Sequence, residues 1–183
     1  MKQLAFALAL AGSCVLATAA TSTPAFALET PEAQDEASDA ASHAAIDSME
    51  VFGFKRLKPG QYLWRDAAGD GPQRVVVSLT DQRAYLYRGS ELVAVSTIST
   101  GKDEKPTPTG IFSVLDKKPF YRSKKYDNAP MPWMQRIDQY GVALHGGFNP
   151  GYPASHGCIR LPVAFAKKLY SVTGVGTPVF VGA

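Results

Sequence analysis

The chain has 183 residues, two cysteines and a formal net charge of +3. Past residue 27 no stretch is apolar enough to cross a bilayer, which takes about 20 apolar residues, so a multi-span membrane protein is excluded. Cys14 falls in an N-terminal segment that bears the marks of removal, which leaves Cys158 alone and excludes an internal disulfide in the mature chain.

Lys2 supplies a positive start, residues 4–16 are apolar apart from Ser13, and Ala25-Phe26-Ala27 puts small residues at both cleavage positions. This is the pattern of a secretory signal peptide over 1–27, cut after Ala27. Lipoprotein anchoring through Cys14 is the weaker alternative, because Ala11 rather than Leu stands three residues before it. Export to the periplasm or cell wall places Cys158 in an oxidising compartment. A free thiol kept there has either a chemical use or a buried, inert place in the core.

Residues 28–50 hold seven acidic side chains (Glu29, Glu32, Asp35, Glu36, Asp39, Asp47 and Glu50) and no Lys or Arg. Rich in Ala and Ser, they read as a solvated acidic linker with at most a transient helix over 40–49. Residues 51–72 form a pre-domain segment marked by turns at Lys58-Pro59-Gly60 and Asp70-Gly71-Pro72. From Lys55 onward eighteen basic residues face nine acidic ones, a formal +9. Such a surface favours polyanions, which for an exported protein means the anionic wall or membrane surface and not nucleic acid.

Residues 73–183 suffice for one hydrophobic core. Their signals are mostly β. Residues 74–79 are a β-branched run; 82–87 follow a polar turn at Thr80-Asp81; Arg88-Gly89-Ser90 suggests a hairpin into 92–99. A turn at Thr107-Pro108-Thr109-Gly110 leads into 111–115, and 141–145 read as a strand ending on His145. One helix is expected after Pro162, with Phe165, Ala166, Leu169 and Tyr170 on one face and a stop before Gly174; 177–181 form a last strand. The expected class is mainly β with one short late helix.

His145, His156 and Cys158 fall within fourteen residues. A thiol with a pKa near ~8.5 is mostly protonated at neutral pH, so a cysteine nucleophile needs a base. His156 lies two residues from Cys158, on the same face if that segment is extended. His145 ends a strand, and a Gly- and Pro-rich loop over 146–153 can return the chain beside it, setting His145 opposite Cys158 on rigid elements. That favours His145 as base. Gly157 allows a sharp turn that would aim the Gly157 and Cys158 amides at an oxyanion. Arg160 has the chemistry to grip a carboxylate bidentately. Trp133 and Met134 suit either a cleft wall or the core.

These residues compose a pattern. His145-Gly146-Gly147, a spacer, then Ser155-His156-Gly157-Cys158-Ile159-Arg160 resembles the L,D-transpeptidase catalytic domain family (the YkuD-like group). So do Ser99-Thr100-Gly101-Lys102, Thr107 to Phe112, and the stretch from Gly174 to Val181. The spacer after His145 is somewhat short for the family. The resemblance implies a β-sandwich-type domain over 73–183 and a defined reaction. Cys158 attacks the carbonyl between residue three and D-alanine four of a peptidoglycan stem tetrapeptide, D-alanine leaves, and an amine acceptor resolves the thioester to a 3–3 cross-link. It further implies that His145 is the proton donor and acceptor, that the Gly146 carbonyl orients its ring, that His156 and Ser155 shape the site, and that Ser155 and Arg160 contact substrate. No metal or organic cofactor is implied, and carbapenems are the implied inhibitors.

Three other readings share the residues. A cysteine peptidase or L,D-carboxypeptidase would use water as acceptor after the same acyl step. A wall-binding module would need neither Cys158 nor His145, yet both are present. A zinc site of His145, His156 and Cys158 would offer only three ligands.

Overall fold

The structure is a computed structural model and describes residues 27–66 and 70–183. The expected signal peptide, up to Phe26, and Cys14 lie outside the described residues. Two sheets face each other across one core. The larger holds β1 (Tyr62–Trp64), β2 (Gln73–Ser78), β3 (Arg83–Arg88), β4 (Glu91–Thr97), β5 (Gly110–Ser113) and β10 (Pro178–Gly182), in the order β1-β4-β3-β2-β10-β5. The smaller runs β6 (Asp116–Lys118), β7 (Met134–Arg136), β8 (Ala143–Gly146) and β9 (Ile159–Leu161) in chain order. Most neighbours are antiparallel; β2–β10 and β8–β9 are parallel.

The alternation of strands assigns the layers. Val75 and Val77 point between the sheets with Leu86, Phe112, Leu144 and Ile159, whereas Val76 points outward with Tyr85, Leu92 and Val95. All three valines are buried because both faces of the large sheet are covered. Helix α2 (Val163–Val172) follows Pro162 as expected and buries Phe165, Ala166 and Leu169 on the inner side.

The outer face is covered by residues expected to be a solvated linker. They form α1 (Pro31–Phe52), a helix of 22 residues. Its start is well marked: the Thr30 hydroxyl accepts from the Ala33 amide at 3.3 Å, Pro31 follows, and Glu32 sits in the first turn. Ala33, Ala37, Ala41 and Ala44 form one buried stripe at helical spacing, while the carboxylates other than Asp47 take the solvent side. The small stripe brings backbone onto backbone, since a Cβ placed on Gly182 would lie 2.4 Å from the Ala37 carbonyl oxygen. Tyr87 adds a polar tie, donating to the Asp47 carboxylate at 2.6 Å. The acidic composition misled because it describes only the solvent side of a helix; its four buried residues are all alanine. Residues 51–72 likewise supply an edge strand, β1, paired with β4. Despite its length α1 is too polar to cross a membrane, and no helix among the described residues is long and apolar enough to do so.

Candidate active site

Strands β8 and β9 run side by side in parallel, with Leu144 opposite Ile159 and His145 opposite Arg160. Alternation sends Leu144, Ile159 and Leu161 into the core and turns His145 and Arg160 to the other face. Cys158, one residue before β9, shares that face. His145 and Cys158 are thus diagonal neighbours on adjacent strands, a separation that side chains span. Both line a cleft of about 740 Å³, together with Tyr126, Met131, Val142 and His156.

A parallel pair needs a crossover, here residues 147–158, and the segment after β4 holds it in place. Asn149 donates to the Thr97 carbonyl at 2.7 Å and accepts from the Ser99 hydroxyl at 3.1 Å. The Thr100 carbonyl receives the amides of Ala154 and Ser155, each at 2.9 Å, and the Thr107 hydroxyl donates to the Gly157 carbonyl at 2.8 Å. The family-like stretches from Ser99 and from Thr107 therefore act as a clamp on the Ser155–Cys158 turn. Sequence reasoning noted those stretches without finding this task, and it missed Thr107, Asn149 and Asp138 as individual residues.

Within the turn, Ser155 and Gly157 are tied to each other. Ser155 is buried and its hydroxyl is fully engaged, donating to the Cys158 carbonyl at 2.5 Å and accepting the Gly157 amide at 3.1 Å. It holds the turn from inside, at the wall of the cleft. The Gly157 amide, spent on Ser155, is not the oxyanion donor expected of it. The glycine is required for another reason: its φ of +109° is a conformation that side chains rarely adopt.

The electrostatics separate the two histidines. His145 is 6% exposed, and its Nδ1 lies 2.9 Å from the Gly146 carbonyl oxygen. A carbonyl only accepts, so the proton sits on Nδ1 and Nε2 keeps its lone pair. Burial pushes the His145 pKa down to about 4, against the pull of the Gly146 bond and with help from the Arg160 charge. Burial also pushes the Cys158 thiol up; the Ala143 amide works the other way, the Asp138 carboxylate adds to the rise, and Arg160 opposes it. The resting pair is a neutral imidazole and a thiol. His156 is exposed and stacks on Tyr126, with ring centroids 4.5 Å apart and planes 12° from parallel. It buttresses the loop that borders the cleft. Met134 belongs to the core with Met131 and Ala143, a cluster against which Cys158 packs; Trp133 packs on Tyr170.

A depressed histidine pKa has a consequence for stability. Between about 4 and 6.5 the unfolded chain binds a proton that the folded chain refuses, so stability falls as pH is lowered through that window, by roughly 3 kcal/mol in all. Denaturant unfolding at pH 7 and pH 4.5 should show His145→Asn losing less stability than the native chain over the same interval. Equal losses would reject the burial of a neutral ring as the cause.

The L,D-transpeptidase catalytic domain (YkuD) family matches residues 72–181. A Bacillus licheniformis protein named as an L,D-transpeptidase, YkuD, is 32% identical over 59% of this chain and 64% of its own length. Among solved structures, an L,D-transpeptidase from Mycobacterium smegmatis superposes with a TM-score of 0.58 at 20% identity, covering 70% of each chain. An Enterococcus faecium L,D-transpeptidase superposes with a TM-score of 0.52 at 26% identity, covering 62% of this chain and 50% of its own. The alignment with the Bacillus licheniformis protein thus spans a little under two-thirds of that relative's length.

Proposed function

Because this chain belongs to the L,D-transpeptidase catalytic domain family by its match over residues 72–181, we propose that it is an exported enzyme that forms 3–3 cross-links between peptidoglycan stem peptides. The observation that carries the reading is the placement of His145 on β8 and of Cys158 just before the parallel strand β9, facing one cleft, with the His145 ring pinned through Nδ1.

His145 Nε2 takes the thiol proton as Cys158 Sγ attacks the carbonyl carbon between residue three and D-alanine four of a donor tetrapeptide. Since both groups rest neutral, proton transfer accompanies attack and no standing ion pair is needed. The Cys158 amide supports the oxyanion. Collapse breaks the C–N bond, the imidazolium returns its proton to the leaving D-alanine amine, and a thioester is left on Cys158. An acceptor amine then loses its proton to His145 and attacks the thioester carbon; the sulfur departs and is reprotonated. Arg160 on the cleft wall meets a stem carboxylate. The +9 formal charge from Lys55 onward favours approach to an anionic wall in the periplasm or cell-wall space.

Incubation with disaccharide-tetrapeptide, followed by mass analysis, should yield free D-alanine together with 3–3 linked dimers. D-alanine and disaccharide-tripeptide without dimers would show water as the acceptor and reject cross-linking in favour of carboxypeptidase action.

A further inference from the structure

Asp138 is 3% exposed, yet it is a carboxylate on a short turn beside the cleft. A single oxygen, Oδ1, accepts three successive amides: Tyr140 at 2.9 Å, Gly141 at 2.7 Å and Val142 at 2.8 Å. The Ile137 amide closes the turn on the Val142 carbonyl at 2.9 Å. The turn runs straight into β8, and its backbone meets the sulfur of Cys158 twice. The thiol lies 3.7 Å from the Gly141 carbonyl oxygen, a weak S–H donation, and the Ala143 amide faces the same sulfur. One contact favours thiol and the other thiolate.

We propose that Asp138 is the positioning residue of the Cys158 thiol, holding the Gly141 carbonyl and the Ala143 amide at the sulfur and placing its carboxylate behind them. A turn of this shape needs only a neutral acceptor, and Asn serves turns as well as Asp. The carboxylate therefore contributes something a turn does not require. Arg160 is the other charge acting on the Cys158 sulfur, and among the described residues His145, His156, Tyr121, Tyr126 and Tyr140 line the same cleft, with Glu104, Lys105, Lys124 and Lys125 on its wall. The Asp138 charge opposes thiolate formation at Cys158. Three amides on one oxygen fix the turn whose Gly141 carbonyl meets the sulfur.

The inference rests on Cys158 being the nucleophile proposed above, and its test separates the two. Alkylation of Cys158 by iodoacetamide, followed on the Cys158 peptide across pH, reads the thiol without any acyl substrate. Asp138→Asn keeps an acceptor oxygen and removes the charge. It should melt near the native temperature and move the alkylation midpoint down by about half a pH unit or more. Asp138→Ala removes the acceptor as well and should slow D-alanine release about tenfold or more. An Asp138→Asn midpoint equal to the native one, or native release by a folded Asp138→Ala, would overturn the proposal. Should Asp138→Ala fail to fold, the Asp138→Asn midpoint decides alone. A native protein that releases no D-alanine would sink the transpeptidase reading while leaving the alkylation result to judge Asp138.

Discussion

Replacement of Cys158 by alanine is expected to lower D-alanine release from a stem tetrapeptide by about 10⁴-fold or more, because no other group of the cleft can form the thioester. The half-buried thiol packs at the edge of a small cluster of Met131, Met134 and Ala143, so the loss of one sulfur should leave the melting temperature near that of the native chain. Intact mass after incubation with a carbapenem offers a second reading: an adduct on the native chain and none on Cys158→Ala. His145→Ala should retain the thiol but acylate more slowly, by about 10²- to 10⁴-fold, since the attack then lacks its base. Full acyl transfer by the alanine variant at position 158 would remove the nucleophile from the mechanism, and native carbapenem labelling by His145→Ala would remove the base.

The second large effect is on stability and lies on the face opposite the cleft. Ala44 is fully buried between α1 and the outer face of the large sheet, close to Val76, Tyr85 and Val95. Ala44→Glu forces a carboxylate into that seam and should cost about 3–5 kcal/mol, either as an unpaired buried charge or as a helix lifted from the sheet. Glu36→Ala, on the exposed side of the same helix, should change stability by no more than about 0.5 kcal/mol. Denaturant midpoints of the two variants provide the check. If both match the native chain, α1 is not part of the folded core. The expected contrast is large because the helix shields aromatic and β-branched side chains that alternation in the large sheet leaves pointing away from the inter-sheet core.

Much of this was legible from residues alone. The β-branched run at 74–79, the Gly89 hairpin, the strand ending on His145 and the helix after Pro162 all stand close to where their local chemistry puts them. The short strands β6, β7 and β9 were not legible, because three residues carry too little periodicity to register. The helix α1 carried two readable signals that composition masked. Ala33, Ala37, Ala41 and Ala44 recur at helical spacing, and three consecutive valines at 75–77 demand cover on both faces of their sheet. Seven carboxylates drew the eye from a stripe that has no charge.

At the candidate site, the sequence by itself determined the reactive groups: a thiol at Cys158, an imidazole ending a strand at His145, and a glycine at 157 where the backbone turns left-handed. It determined these because residue type and spacing along one chain settle what chemistry is on hand and which positions share a strand face. Only the tertiary structure decided how those groups are held and in what charge state. The ties that do so join residues far apart in sequence, as between Ser99 and Asn149 or Thr107 and Gly157, each pair fifty residues apart. The turn anchored by Asp138 likewise reaches Cys158 only across the strand pair. Burial, which lowers His145 and raises Cys158, is a property of the packed whole. So is the commitment of Ser155 and Gly157 to each other. Hydrogen-bond partners and local dielectric are set by what surrounds a group in space, and neighbours along the chain do not specify that.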